Sequence, residues 1–274
     1  MSAIDKPDPP APAPRRLRAR RSFPTLRTVV ALILREMVTT YGRNPGGYAW
    51  AVLEPALGTM LVSFVFSLGF KTPSLGSHFG LYFATGILPF AMWNSLTGKV
   101  GSAINYSRSL LVYPSVTFLD AIMARFILNT LTELTVSYMV LSFIIVILDV
   151  PTAIRADRIA LGYSMAMALG LGLGMLNCFI FSMVPVWQRI WGIITRPLFF
   201  MSGILFLFDQ IPQPFRDWLW WNPLVHVVGA VRSGFYARYD ANYVDPVYVF
   251  TVSGIMAVTG LLFLRRYYSD IMNT

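Results

Sequence analysis

Ionisable side chains inside apolar segments are the residues of this sequence that could do chemistry. Glu54 directly precedes Pro55 in one apolar run, and Glu133 lies in the middle of a longer run. Arg196 directly precedes Pro197 in a third run. Charged groups within a membrane span are costly, so each is either a polar contact between helices, a side chain reaching towards the interface, or part of a translocation path.

The motifs of common catalytic sites are absent from the sequence. No G-x-x-x-x-G-K-[ST] phosphate loop occurs, and the GLGLG of residues 170–174 has Met175 where a dinucleotide fingerprint needs its third glycine. Those glycines instead favour close packing of helices. The single Cys178 and the distant pair His78 and His226 argue against a disulfide framework or a zinc site. We expect a protein that is not an enzyme and holds no cofactor or metal.

The composition indicates an all-α integral membrane protein. Of 274 residues, 55% are hydrophobic and only 13% are charged, against about 25% charged in soluble domains. A helix needs about 20 apolar residues to cross the hydrocarbon core. Six stretches meet this requirement: about 48–70, 79–97, 117–148, 159–184, 190–208 and 246–264.

The segment before the first span divides into a tail, an interfacial helix and an elbow. Residues 1–23 are rich in proline and arginine, which predicts a disordered cytoplasmic tail on anionic lipid. The net charge of +9 therefore does not indicate nucleic-acid binding. Residues 24–42 have helical apolar periodicity with arginines opposite, typical of an amphipathic helix in the interface. Helix breakers at 42–47 predict an elbow before the transmembrane domain, 43–274.

The orientation follows from the positions of the 22 lysines and arginines. Most of them fall on the cytoplasmic side if both termini are placed there. The segment 208–246, on the outer side, contains two pieces too short to span, which predicts two re-entrant helices in the outer leaflet before the last span. Trp218, Trp220 and Trp221 fit an interface belt or stacking on sugar rings. Arg216, Arg232 and Arg238 are candidates for contacts with anionic groups of a substrate.

Three stretches resemble ABC-2 type exporter permeases, specifically the capsular polysaccharide export permeases and their O-antigen relatives. They are LREMVTTYGRNPGGYAWAVLEPAL (34–57), INYSRSLLVYPSVTFLDAIMARF (104–126) and WNPLVHVVGAVRSGFY (221–236). The resemblance implies a homodimer in the bacterial inner membrane with two separate ATPase subunits, which bind the ATP and magnesium. It also implies a periplasmic co-polymerase, an outer-membrane export protein and a lipid-linked polysaccharide as cargo.

The resemblance also implies roles for individual residues. A path between two protomers, lined by spans one and five, gives the candidates Tyr48, Trp50, Glu54, Trp191, Arg196, Phe199 and Phe200. The outer segment adds Arg216, Trp218, Trp221 and Arg232. A coupling helix for the ATPase maps to about 98–115, with Lys99, Asn105, Tyr106, Arg108, Tyr113 and Pro114. The elbow region comprises Arg35, Tyr41, Gly42, Arg43 and Gly47.

Three alternative functions differ in how well they fit the sequence. An ABC-2 permease for O-antigen, teichoic acid, a lipid or a drug would have the same general pattern. A secondary transporter predicts an internal repeat, and the two halves of this chain do not echo each other. A membrane-embedded transferase would need clustered acidic or histidine residues near one interface, and the sequence has none.

Overall fold

The computed structural model describes residues 24–41, 47–113, 116–150 and 154–273. This part of the chain is helical and contains no strand. The helices are α1 (Pro24–Tyr41), α2 (Gly47–Gly69), α3 (Phe79–Gly101), α4 (Ala103–Leu111), α5 (Phe118–Ile147), α6 (Ala156–Met183), α7 (Pro185–Met201), α8 (Phe215–Trp220), α9 (Pro223–Phe235), α10 (Pro246–Arg266) and α11 (Tyr268–Asn273), with a 3-10 turn at Phe208–Gln210.

The long helices run alternately between two ends of the molecule. At one end, which we call the α4 end, α4 contacts α1 through Tyr106 and Thr39, and contacts α11 through Arg108 and Ile271. At the other end, the α9 end, α9 contacts the turn after α7 through Arg232. The helices α2, α5 and α7 lead away from the α4 end, and α3, α6 and α10 return to it.

In the part of the chain that the structure describes, four helices are long and apolar enough to cross a membrane: α2, α5, α6 and α10. The other two predicted spans correspond to α3 and α7. The helix α3 has 23 residues, but its last two turns include Asn94, Ser95 and Lys99, and α7 has only 17 residues. The prediction of an all-α fold with membrane-spanning helices is therefore confirmed for the described residues, and the count of six spans and the two re-entrant helices stay predictions.

The predicted fifth span, 190–208, differs from α7 at both ends. The helix starts at Pro185, which suits the first helical turn because proline has no amide hydrogen to leave unpaired. It ends at Met201, and Gly203 then adopts a positive φ of 78°. The apolar residues 204–208 form a buried turn rather than the end of a span. Hydropathy alone cannot distinguish these two structures.

Three helices begin with capping patterns that are visible in the sequence. Thr117 and Asp120 form a reciprocal capping box at the start of α5, with the Asp120 amide donating to Thr117 Oγ1 at 3.2 Å. Asn222 accepts from the Leu224 amide at 3.1 Å to cap α9. Asp245 accepts from the Tyr248 amide at 3.1 Å to cap α10.

The helix α6 lies at the centre of the bundle because its glycines admit neighbouring helices. A Cβ on Gly172 would collide with the carbonyl oxygen of Ser253 in α10. A Cβ on Gly174 would lie 2.8 Å from Cβ of Val100 in α3. On another turn, a Cβ on Gly162 would lie 2.9 Å from the backbone nitrogen of Val231 in α9. The packing role predicted for the GLGLG segment is confirmed.

The helices α2 and α7 are the least buried of the long helices. Thr59 is the one buried residue among the α2 side chains that the structure describes. In α7, which is described throughout, no side chain is buried. Both helices therefore leave most of their surface to lipid, to a second copy or to a partner.

Candidate functional site

One face of α7 is polar and exposed. Gln188, Gly192, Thr195 and Arg196 follow one another at intervals of three, four or one residues and so lie on one side of the helix. Gln188 and Arg196 are exposed. Hydrocarbon solvates a guanidinium poorly, so this face needs water or a polar partner.

A polar cleft of about 480 Å³ opens beside this face. Its walls are Asn94 and Gly98 from α3, Phe181 from α6, and Gln188, Trp191, Gly192, Thr195 and Arg196 from α7. The cleft lies towards the α4 end, since Asn94 and Gly98 belong to the last two turns of α3. Its donors and acceptors suit water or a polar ligand group.

The helix α2 presents Trp50 and Glu54 on one exposed face, one turn apart. Trp50 is 65% exposed, and Glu54 is exposed as well. The helix continues through Pro55, whose carbonyl accepts from Thr59 Oγ1 at 2.8 Å. None of the ion pairs among the described residues involves Glu54. The backbone of Tyr48 is helical, and its side chain is outside the described part.

The other predicted path residues of α7 contact α3 through their rings. Trp191 lies 6.3 Å from the Trp93 ring in an edge-on arrangement. The Phe199 ring lies 5.4 Å from the Phe90 ring, also edge-on. Phe200 is 58% exposed, and its ring lies 5.6 Å from that of Phe199, edge-on.

The predicted coupling segment contains α4, which is fixed on both sides. Asn105 Nδ2 donates to the Phe181 carbonyl at 3.4 Å, which joins α4 to the end of α6. Arg108 Nη2 donates to the Ile271 carbonyl at 3.3 Å, which joins it to α11. Tyr113, just beyond α4, is 61% exposed. Pro114 lies outside the described residues.

Tyr106 connects α4 to the interfacial helix α1. Its hydroxyl lies 2.5 Å from Thr39 Oγ1, and its ring lies 5.6 Å from the guanidinium of Arg35. Among the residues predicted for the elbow region, Arg35 has a side chain that the structure describes. Gly47 begins α2, the side chain of Tyr41 is not described, and Gly42 and Arg43 lie outside the described residues.

A buried ion pair, which sequence analysis missed, joins α1 to α5. Arg125 Nε donates to Glu36 Oε1 at 3.0 Å, and both side chains are only 6% exposed. Arg125 Nη1 donates to the Lys99 carbonyl at 2.9 Å and to Ser102 Oγ at 2.8 Å. Its guanidinium lies 4.1 Å above the Tyr106 ring. We call these five residues the Glu36–Arg125 junction, which ties together α1, α3, α4 and α5.

One sequence signal could have identified the junction. Val29, Leu32 and Glu36 lie on the same buried face of α1, so Glu36 occupies an apolar position of an amphipathic helix. An acidic residue there needs a buried cation as its partner. The identity of the partner, 89 residues later, is not visible in any local pattern.

A second polar cluster lies between α2, α3 and α5. Glu133 of α5 lies beside Ser95 and within electrostatic reach of Lys99 and Glu54. The main-chain carbonyl of Lys99 therefore accepts a hydrogen bond within the junction, and its positive charge interacts with Glu133. The interpretation of Glu133 as a polar contact between helices agrees with this placement.

Of the three outer arginines, Arg232 and Arg216 are engaged within the chain, and Arg238 is exposed. Arg232 is 2% exposed, and its guanidinium donates to the carbonyls of Gly203 and Ile204, each at 2.6 Å. Arg216 Nη2 lies 3.5 Å from Asp209 Oδ1 and over the ring of Phe208 at 5.3 Å. Arg232 is thus buried among main-chain carbonyls, whereas the Arg216 side chain is still 38% exposed beside Asp209. The predicted contacts of these arginines with an anionic substrate stay predictions.

The outer tryptophans divide into exposed and anchored rings. Trp218 and Trp221 are 71% and 67% exposed, as a ring at a membrane interface or against a ligand would be. Trp220 is half-buried and donates from Nε1 to the Tyr243 carbonyl at 3.2 Å. Trp220 therefore anchors α8 to the segment before α10.

His226 links α9 to the start of α10 as a neutral imidazole. Its Nδ1 accepts from the Asp245 amide at 3.0 Å, so Nε2 holds the proton and donates to the Trp220 carbonyl at 2.8 Å. Burial lowers the pKa of His226 below its usual value, although the bond to Trp220 and the charge of Asp245 act in the opposite direction.

Comparison with known proteins identifies the family. The family model described as ABC-2 type transporter matches residues 27–236, which is most of the chain. The chain belongs to the ABC-2 type transporter family. The family match begins within α1 and extends through α9, so it includes the polar cleft, the Glu36–Arg125 junction and Arg232.

Several curated relatives of this ABC-2 chain are similar over nearly their whole length. The polysialic acid transport protein KpsM of Escherichia coli is 28% identical over 238 residues, 87% of this chain and 92% of KpsM. The capsule polysaccharide export inner-membrane protein CtrC of Neisseria meningitidis serogroup A is 26% identical, covering 88% of this chain and 91% of CtrC. The corresponding protein BexB of Haemophilus influenzae is 27% identical, covering 87% of each chain.

Proposed function

We propose that this chain is the inner-membrane permease subunit of an ATP-driven exporter that moves lipid-linked capsular polysaccharide from cytoplasm to periplasm. The observation that carries the proposal is the exposed polar face of α7 and its cleft, in a chain whose relatives are named as capsule export and polysialic acid transport proteins. A cleft with a guanidinium and amides suits an acidic, hydroxylated glycan.

The path lies between two copies of the chain, along α2 and α7. These two helices have the least buried surface, and each presents charge on an exposed face, Glu54 in α2 and Arg196 in α7. A face in contact with lipid would be uniformly apolar. A second copy of the chain covers the apolar side chains of these faces, and water between the two copies solvates Glu54 and Arg196.

The α4 end receives the force from a separate ATPase. The exposed residues Val112 and Tyr113 follow α4, and the Glu36–Arg125 junction binds α4 to α1, α3 and α5. Because the buried ion pair and its hydrogen bonds resist separation, a push on α4 moves these helices as a unit. The helix α2 follows α1 directly in the chain, so this motion reaches Glu54 and the inner part of the path.

Both termini lie in the cytoplasm and six helices cross the membrane. The alternation of α2, α3, α5, α6, α7 and α10 between the two ends supports six crossings, with α3 and α7 shielded by protein or by the aqueous path. The contacts of α11 with α4 support termini on the same side. The periplasmic co-polymerase and the outer-membrane export protein then meet the α9 end.

Capsule export in a strain that lacks this chain tests the proposal. The native chain restores surface polysaccharide, and Glu54→Ala abolishes export while the protein still inserts into the membrane. Asp157→Ala, at a residue whose side chain is 78% exposed outside the bundle, is the matched control and retains export. Normal export by Glu54→Ala removes Glu54 from the mechanism, and normal capsule in the deletion strain overturns the function itself.

A further inference from the structure

Arg232 is a buried cation that is held by main-chain carbonyls. Its Nη1 donates to Gly203 O at 2.6 Å and to Phe206 O at 3.2 Å, and its Nη2 donates to Ile204 O at 2.6 Å. The ion pairs found in the described part of the chain include none with Arg232. A guanidinium is seldom buried without a carboxylate, so these carbonyl dipoles, with the Tyr82 ring at 4.2 Å, must compensate its charge.

The three carbonyls belong to the turn that directly follows α7. Gly203 has a φ of 78°, a conformation that orients this turn away from the helix. Ile204 is fully buried at 0% exposure. Next to the turn, Asn222 Nδ2 donates to the carbonyl of Met201, the last residue of α7, at 2.9 Å. Asn222, which caps α9, and Arg232, within α9, thus hold the outer end of α7 in place.

The body of α7 lacks comparable attachments. None of its side chains is buried. Trp191 and Phe199 contact α3 through aromatic rings, and Trp191 Nε1 has no hydrogen-bond partner among the described residues. At the inner end, Trp187 Nε1 donates to Asn177 Oδ1 of α6 at 3.4 Å, which is long for such a bond. The strongest polar attachment of α7 is therefore the one at its outer end.

We propose that Arg232 is a positioning residue for export: it fixes the outer end of α7, so that α7 swings about this end when the path opens. The inference rests on the proposed function, in which α7 lines the path. A fixed outer end makes the inner end, with the polar cleft, the part that moves in response to the ATPase. Without the hydrogen bonds of Arg232 the outer end of α7 moves as well, so that motion of the inner end no longer opens the path.

The test compares Arg232→Gln, Arg232→Lys and the control Arg158→Gln in the full permease–ATPase complex in membranes. Arg158 is an exposed arginine near the start of α6, at the same end of the molecule, and its side chain is 47% exposed. Hydrogen–deuterium exchange over residues 200–207 rises about tenfold or more in Arg232→Gln, the scale on which hydrogen bonds to charged groups act. Export falls by a similar factor while ATP hydrolysis stays within about twofold of the native complex. Arg232→Lys recovers part of both, and Arg158→Gln changes neither.

A second variant tests the anchor if Arg232→Gln fails to assemble. A Cβ added by Gly86→Ala would lie 3.2 Å from Arg232 Nη2 and 3.3 Å from the Ile204 Cα, so it disturbs the same contacts from α3. The expected signature is again faster exchange at 200–207 and hydrolysis without export.

The outcomes separate this inference from the proposed function. A native complex that exports no glycan refutes the proposed function, whatever the variants do. A native complex that exports, with Arg232→Gln exporting equally and exchanging equally, overturns the positioning role. Loss of hydrolysis and export together in Arg232→Gln, Arg232→Lys and Gly86→Ala shows that Arg232 only stabilises the fold and likewise overturns it.

Discussion

Removing the carboxylate of the Glu36–Arg125 junction should destabilise the protein strongly. In Glu36→Ala the Arg125 guanidinium remains buried, with its side chain 6% exposed, and loses the one charged partner that it has among the described residues. Breaking a buried ion pair from one side costs about 3–5 kcal/mol. Arg125 keeps its bonds to Lys99 and Ser102 and its contact with the Tyr106 ring, so we expect the lower end, about 3 kcal/mol.

The assay is thermal unfolding of the purified protein in one detergent, followed by intrinsic fluorescence. For a chain of this size, about 3 kcal/mol corresponds to a fall of roughly 6–12 °C in the apparent Tm. The double variant Glu36→Leu with Arg125→Met removes both charges, and such apolar replacement of a buried pair is often neutral, so its Tm should stay within about 4 °C of the native value. Asp157→Asn, in an exposed ion pair with Arg158 at 3.8 Å, is the control.

Two results would refute this reasoning. A fall of less than about 2 °C for Glu36→Ala would mean that the pair contributes no more than an exposed one does. A double variant as unstable as Glu36→Ala would mean that packing, and not the unpaired charge of Arg125, causes the loss. Asp157→Asn should change the Tm by no more than the scatter of the measurement.

Further predictions concern the α9 end and the centre of the bundle. Burial lowers the pKa of His226 in the folded state, so that on acidification the unfolded chain binds the proton first. The free energy of unfolding therefore falls as the pH drops below about 6.5, the pKa of an unperturbed histidine, by at most about 1.4 kcal/mol per pH unit. It levels off below the pKa of the folded state. Thermal unfolding from pH 8 to 5 should show this slope in the native protein and a smaller one in His226→Gln; equal slopes contradict the assignment. Gly172→Ala places a Cβ against the α10 backbone and should cost about 1–3 kcal/mol, whereas Gly58→Ala has nothing within 4 Å and should be neutral or stabilising by up to about 1 kcal/mol. Equal Tm values for the two alanine variants would show that α6 and α10 do not pack as closely as described.

Local patterns predicted the helices because their signals lie within a few residues. The apolar runs 117–148 and 246–264 predicted α5 and α10 to within a few residues, and the GLGLG segment predicted the close packing of α6. The end of α7 was not predictable in the same way. Residues 204–208 are as apolar as a membrane span. They leave the axis of α7 because Gly203 adopts a positive φ and because Arg232, from the distant helix α9, donates to the carbonyls of this turn.

Partners of buried charges could not be read from the sequence. Glu36 and Arg125 are 89 residues apart, and Arg232 takes its carbonyls from residues 26 to 29 positions earlier. The sequence marks each as an ionisable group in apolar surroundings, but tertiary packing alone decides which groups meet. For this reason Arg232 was predicted as a substrate contact, while the structure shows it bound to the main chain.

Reconstitution tests the central claim, that this chain is a conduit powered by a separate subunit. The purified chain is inserted into liposomes containing lipid-linked polysaccharide, with and without the nucleotide-binding subunit, and ATP hydrolysis and translocated glycan are measured. We predict that glycan crosses only when the chain, the ATPase subunit and ATP are all present. Hydrolysis of ATP by the chain alone, or movement of the glycan without the ATPase subunit, would contradict the account.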